Sequence, residues 1–279
     1  MNALPSAAQL DAFNRKPAHR PVVLFYEFRH RDRAADARCV ASLAKLAESY
    51  GGVLRWVATV EQTLIGQASG HAQACRIHFR ARSDARRMIE AVSHATLLGR
   101  CESLRVAVLS EQPKAVAIIS ALLARVLPHW PFDNSEDDSE EPGVGVSSTM
   151  PTRESIEILR THPDQSSPVT MVNWLKFKPQ SGRAAYYRYG KVAITTTHSI
   201  GAKLLHTARY QQILIGNGGD PAIGAWDEFA LMQYPSRATF GRMARLKRYR
   251  AALHHREEGL AENGQGLVVT KPAPEFTWR

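Results

Sequence analysis

The sequence predicts an α+β protein in which one βαββαβ unit occurs twice, and three observations carry that prediction. The chain aligns with itself at an offset of 150 residues. Residues 50–66 placed over 200–216 match at seven of 17 positions: Gly51/Gly201, Leu54/Leu204, Ala58/Ala208, Gln62/Gln212, Leu64/Leu214, Ile65/Ile215 and Gly66/Gly216. Ordinary composition gives roughly one such match by chance. Both flanks of that block repeat the same order of hydrophobic patterns. A polar, acidic segment, residues 129–150, lies between the two copies.

Each unit opens with a β-rich apolar run, residues 21–28 and 169–177, read as a strand. A helical stripe follows. Cys39, Leu43, Leu46 and Tyr50 mark it in the first unit; Tyr186, Tyr189, Ala193, Thr196 and Ile200 mark it in the second. Gly51 and Gly201 stand where a helix C-cap belongs. Two strands come next, at 53–65 and 73–81 and again at 202–215 and 226–234. A second helix carries Ala85, Met88, Ile89 and Val92, or Phe240, Met243 and Ala244. A last strand covers 104–109 and 266–270. This order is the ferredoxin-like plan. Each such sheet has helices on one face and leaves the other open. Packing two of them sheet to sheet, as one barrel-like core, buries both.

The domain reading is an N-terminal tail over 1–20, a degenerate unit over 21–128, a flexible acidic linker over 129–150 and a second unit over 151–279. The apolar helix 114–127 is expected to lie on the first unit. Thr152 is a plausible cap for a short helix over 152–161.

Composition narrows the class. Apolar residues make up 44% and charged residues 22%, the balance of a chain with a sizeable core. No apolar run reaches the ~20 residues of a membrane-spanning helix, and the N-terminus lacks the apolar stretch of a secretory signal. Cys39, Cys75 and Cys101 are odd in number and lack metal-type spacing. They read as free thiols of a cytoplasmic protein, with no metal site. The net charge is +10, yet residues 129–150 hold six acidic groups and no Lys or Arg, so the excess sits on the units. No RNP, helix-turn-helix or KH-type signature accompanies it, which argues against nucleic acid as a partner.

The second unit resembles the domain-of-unknown-function 1330 family, a branch of the dimeric α+β-barrel superfamily. The resemblance covers about residues 168–272. It rests on Met171-Val172-Asn173-Trp174-Leu175-Lys176-Phe177, the Tyr186/Tyr189 helix, Gly201, Trp226-Asp227, Tyr234-Pro235-Ser236-Arg237-Ala238-Thr239-Phe240, Tyr249 and His255-Arg256. The first unit keeps the elements without the motif: Tyr26 stands for Asn173 and Ala81 for Tyr234. The resemblance implies a unit that pairs sheet to sheet, and with both units in one chain it implies an intramolecular dimeric α+β barrel. It implies no activity by itself, since the wider superfamily includes cofactor-independent monooxygenases, isomerases, decarboxylases and haem-binding branches.

The candidate site lies in the second unit, between its sheet and its helices. Asn173 is an amide amid an apolar strand, and a buried amide needs partners or a ligand. Arg256 with His255 is placed to bind developing negative charge; the structural alternative is an ion pair with Glu257, Glu258 or Asp227. Tyr234 or His206 is assigned proton transfer. Tyr186, Tyr189 and Trp226 are assigned ligand contacts, with amphipathic packing as the tyrosines' alternative. Ser236 reads as an N-cap, aligned with Ser83, and not as a nucleophile. The 216–221 loop reads as a hairpin, because a strand follows it and no helix N-terminus is available to hold phosphate.

The expected function is an enzyme acting on a small aromatic or carbonyl-bearing metabolite, without a tightly bound cofactor. The alternatives are a haem-binding protein using a second-unit histidine, or a non-catalytic binding or scaffold module. Self-association is left open.

Overall fold

A computed structural model of the chain describes residues 4–66, 70–137, 139, 147–216 and 226–276. The strands are β1 (Val22–Arg29), β2 (Gly52–Ile65), β3 (Gln73–Phe79), β4 (Ser103–Leu109), β5 (Val169–Phe177), β6 (Lys203–Ile215), β7 (Glu228–Tyr234) and β8 (Leu260–Pro272). The helices are α1 (Ala7–Asn14), α2 (Arg33–Ser49), α3 (Arg82–Glu90), α4 (Val92–Leu98), α5 (Lys114–Val126), α6 (Arg153–Thr161), α7 (Gly182–Ser199), α8 (Arg237–Met243) and α9 (Lys247–Gly259).

The α+β class is as expected. The eight strands close into one antiparallel barrel in the order β1-β3-β2-β8-β5-β7-β6-β4. Within it the first half runs β4-β1-β3-β2 and the second runs β8-β5-β7-β6. The halves join twice edge to edge, β2 on β8 and β4 on β6, so those four strands have no free edge.

Alternation along each strand sorts side chains between the barrel lumen and the helix layer. In β5, Val172 and Trp174 point inward, where they pack with Phe25, Trp56, Phe229 and Leu231. Met171, Asn173 and Leu175 are on the helix side. In β1, Val23 and Phe25 point inward, while Val22, Leu24, Tyr26 and Phe28 meet the helices. A buried Arg105–Glu27 ion pair also lies against Trp174.

Gly201 has φ +84°, the left-handed geometry expected of the residue that ends α7. Gly182 and Gly259 sit where α7 meets α9. A Cβ on Gly259 would come within 2.6 Å of the Tyr186 amide nitrogen, so only glycine lets these helices approach. Ser236 caps α8 by accepting from the Thr239 amide at 3.0 Å, and Thr152 caps α6 by accepting from Ser155 at 3.1 Å.

Four expectations are corrected. Helix α3 begins at Arg82 with Ala81 before it, so Ser83 is inside the helix and is not the counterpart of the Ser236 cap. Strand β8 begins six residues earlier than position 266, which brings Gln265 into the sheet. Helix α5 leaves the first half: its buried Ser120 donates to the Leu204 carbonyl of β6 at 3.2 Å, while Ile118 and Leu122 stay exposed. The described part of 129–150 is docked and is no free tether. Glu136 accepts from Arg242 at 2.7 Å and Arg245 at 2.9 Å, Asp137 pairs with Arg250 at 3.0 Å, and Phe132 stacks under Arg248. The acidic run has a counterpart because α8 and α9 present a basic face. Residues 138 and 140–146 lie outside the described residues, as does most of the 216–221 hairpin.

Candidate functional site

A cavity of about 810 Å³ lies between the helix-side face of β5–β8 and helices α6–α9, with Val116 and Ile119 of α5 on one side. Its walls are mainly apolar: Met171, Leu175, Met232, Phe240, Met243, Leu253 and Leu267. Asn173, Tyr186, Tyr189, Tyr234 and Arg256 all line it, so the structure brings together five of the eight sequence-assigned residues.

Arg256 is in the last turn of α9 and only 4% exposed. Its Nε donates to Gln265 Oε1 at 2.9 Å, its Nη1 lies 3.0 Å from Met150 Sδ, and its Nη2 donates to Gln265 Oε1 and the Thr149 carbonyl. No described carboxylate forms an ion pair with it, so the bridge to Glu257, Glu258 or Asp227 is not made. Asp227 instead accepts from the Phe177 amide at 2.8 Å, and Glu258 from Arg188. A buried guanidinium held by neutral oxygens and a thioether retains an uncompensated positive charge beside an apolar space.

Gln265 extends this network. Its Nε2 donates to Asn173 Oδ1 at 3.5 Å, and Asn173 Nδ2 donates to the Met171 carbonyl at 3.3 Å. Pairing of β5 with β8 sets Gln265 opposite Leu175, close to Asn173 along the strand pair. The amides thus fix the guanidinium's plane from the sheet side.

The tyrosines come from three elements. Tyr186 and Tyr189, three residues apart on α7, share one face of that helix. Tyr189 Oη and Tyr249 Oη are 2.7 Å apart, and Tyr234 donates to Met243 Sδ at 3.2 Å. The Tyr186 hydroxyl has no hydrogen-bond partner among the described residues, which leaves its donor for a ligand. Burial pushes the Tyr186, Tyr189 and Tyr234 hydroxyls above the usual phenol range, against a smaller opposing pull of Arg256 on Tyr186 and Tyr189. They are therefore protonated donors at neutral pH and not bases.

Three assigned residues are elsewhere. His206 points into the barrel lumen, 6.2 Å from the Phe229 ring, because a bulge between Leu204 and His206 resets the alternation of β6. Burial, with Arg76 and His78 nearby, holds its imidazole well below the usual value, hence neutral. His255 is on the outer face of α9, 3.2 Å from Glu258. Trp226 packs at the end of the lumen cluster. None of the three lines the cavity, and the residues that do include no histidine.

Sequence reasoning missed Glu228 and Gln265. Glu228 is the one carboxylate among the lining residues; it accepts from Tyr187 Oη at 2.6 Å and lies 3.5 Å from Arg183 Nε. Period-two alternation from Tyr234 back through Met232 and Ala230 reaches it. For Gln265 the signal was hidden by too short a last strand.

No protein-family model matches the chain, and no curated protein matches its sequence. Among solved structures, a protein of unknown function from Rhodopseudomonas palustris is similar at 28% identity and TM-score 0.39, over 44% of this chain and 95% of that one. An anthrone oxidase-like protein is similar at 12% identity and TM-score 0.48, over 93% and 95% of the two chains. A mutant chlorite dismutase from Candidatus Nitrospira defluvii is similar at 15% identity and TM-score 0.45, over 92% and 93%. Likenesses at these scores assign no activity to this chain; the barrel stands on its own strand pairing.

Proposed function

We propose that the chain is an enzyme whose second-half cavity takes a small aromatic or carbonyl-bearing metabolite in anionic form, as a carboxylate or an enolate. The observation that carries this reading is Arg256, a buried cation with no described carboxylate partner, beside a mainly apolar cavity. Burying a charge is costly unless something meets it, and an anionic ligand is the natural counter-charge. The apolar walls suit a ring, and about 810 Å³ is within the range of small-molecule sites.

In this reading Arg256 and the Tyr186 hydroxyl stabilise negative charge on a substrate oxygen, and Asn173 acts through Gln265 to hold the guanidinium in place. Glu228 is the candidate base for a proton next to a carbonyl, and Tyr234 is a donor. The reaction is then of the monooxygenase, isomerase or decarboxylase type without a resident cofactor. The His-ligated haem alternative finds no histidine among the lining residues. The internal match and the strand orders β4-β1-β3-β2 and β8-β5-β7-β6 support two tandem ferredoxin-like units, the second like the domain-of-unknown-function 1330 family. The first would be a structural partner without a counterpart of this reaction site.

The test is turnover of a panel of enolisable aromatic ketones and aromatic carboxylic acids by the purified chain, in air and under nitrogen. Activity lost in both Arg256→Met and Glu228→Gln, with the circular dichroism spectrum retained, supports the reading. Turnover that survives both substitutions refutes it.

A further inference from the structure

The first half carries a cluster that the proposed reaction does not use. His30 lies just past β1, Cys39 is on α2 and Cys101 is in the turn before β4. All three are buried, and His30 nitrogen, Cys39 Sγ and Cys101 Sγ lie within 4.8 Å of one another. Spacing along the chain hides this group, because its members come from three separate elements.

We propose that His30 Nε2, Cys39 Sγ and Cys101 Sγ form a binding site for a thiolate-preferring divalent metal ion of the zinc type. The geometry is close to what such an ion requires. Cys101 Sγ is 3.5 Å from His30 Nε2. Tetrahedral zinc, with Zn–S near 2.3 Å and Zn–N near 2.0–2.1 Å, holds its sulfur and nitrogen ligands about 3.5–3.6 Å apart.

The imidazole is also held in the ligating tautomer. Asp36 Oδ1 accepts from the His30 backbone N–H at 2.9 Å and pairs with ring Nδ1 at 2.8 Å. The proton therefore belongs on Nδ1, and the Nε2 lone pair faces Cys101. A carboxylate behind a histidine is the usual support of a histidine metal ligand. The turn that carries Cys101 is anchored beside His30: the Glu102 amide donates to the Arg29 carbonyl at 2.7 Å, and the Glu102 carboxylate pairs with Arg29 and Arg31.

Charge balances as well. Two thiolates and a neutral imidazole neutralise a dication, so a filled site adds no net charge to a buried place. Binding releases two thiol protons to solvent and involves no electron transfer. Cys75, fully buried on β3, belongs to no such group.

The experiment is a titration of the full-length, reduced, metal-stripped chain with Co²⁺ alone. The expected result is one Co²⁺ per chain, with tetrahedral visible bands, a sulfur-to-cobalt charge-transfer band and two protons released. Zn²⁺ should erase the bands by displacement. Asp36→Asn should weaken affinity about 10–100-fold, as loss of a ligand's support does. Cys101→Ser should remove most of the charge-transfer intensity, and Cys75→Ser should change nothing. Should Cys101→Ser fold poorly, the wild-type chain gives the same answer: in mild denaturant that opens the buried thiols to reagent, Zn²⁺ should slow alkylation of Cys39 and Cys101 more than that of Cys75, located by peptide mapping. Absence of a charge-transfer band in the reduced chain overturns the proposal. So do bands that depend on His255 instead of Cys101, or air oxidation to a Cys39–Cys101 disulfide in a chain that binds no Co²⁺ when reduced.

Discussion

Between β1 and its helices the space is filled by Tyr26, Phe28, Leu43, Phe79 and Met88, all fully buried; between β5 and its helices the corresponding space holds a cavity of about 810 Å³. The halves share a strand order and differ in what the helix-side positions carry. Tyr26 fills its place and hydrogen-bonds His94 Nε2 at 3.1 Å. Asn173, at the aligned place, is small and polar, and joins Gln265 and Arg256. One layer is thus closed by large side chains, and the other is held open around a fixed charge. The comparison shows how a barrel that needs both halves for its closure can fill the sheet–helix layer in one half and hold a cavity in that layer in the other.

The largest expected effect breaks the filled side. Phe79→Ala should cost about 3–5 kcal/mol in chemical denaturation, since it removes a fully buried ring and leaves a void. Met171→Ala, on the cavity wall, should cost about 2 kcal/mol, the low end for its kind, because a void is already there. Equal costs would mean that the second-half space collapses in solution.

Acid should act on the filled side too. His94 is buried without access to solvent, and burial pushes its pKa down to about 4, from an ordinary value of 6.5. Between those values the unfolded chain binds the proton and the folded chain does not. Stability therefore falls as pH drops from 6.5 toward 4, by up to about 1.4 kcal/mol per pH unit from this group. Melting temperatures across that range should show a shallower slope for His94→Gln than for the wild-type chain. An unchanged slope would assign the acid sensitivity to other groups.

Tyr26→Phe should cost about 1 kcal/mol, because it removes one hydrogen bond and leaves the ring in place. It should leave ligand affinity unchanged, and any loss of affinity would show that the first half contributes to the site. Glu136→Gln should cost less than about 1 kcal/mol, since its pairs with Arg242 and Arg245 are partly exposed. A cost of several kcal/mol would show that the acidic segment is a structural clamp on α8 and α9.

The element order was legible because the internal match and the period of the apolar residues are properties of the chain itself. Gly201, Thr152 and Ser236 were legible because their chemistry is local. Asn173 announced itself as an amide in an apolar strand, whereas Arg256, flanked by His254, His255, Glu257 and Glu258, was singled out through the His255-Arg256 pair that the family resemblance carries. His206 misled because one bulge in β6 turns its side chain to the opposite face. Gln265 escaped because a strand end is set by pairing with a neighbour, not by its own composition. The docking of Glu136 and Asp137 depends on arginines more than 100 positions away, and the His30, Cys39 and Cys101 cluster on three elements meeting in space. Neither leaves a mark in local sequence.

In the proposed function, Arg256 makes the second-half cavity select an anion. The direct measurement is calorimetric titration of the wild-type chain and Arg256→Met with a small aromatic carboxylic acid and its methyl ester at neutral pH. The wild-type chain should bind the acid and discriminate against the ester, and Arg256→Met should weaken the acid by about 10–150-fold, the loss of one charge-assisted contact of roughly 1.5–3 kcal/mol. Equal binding of acid and ester, or full affinity for the acid in Arg256→Met, would contradict it.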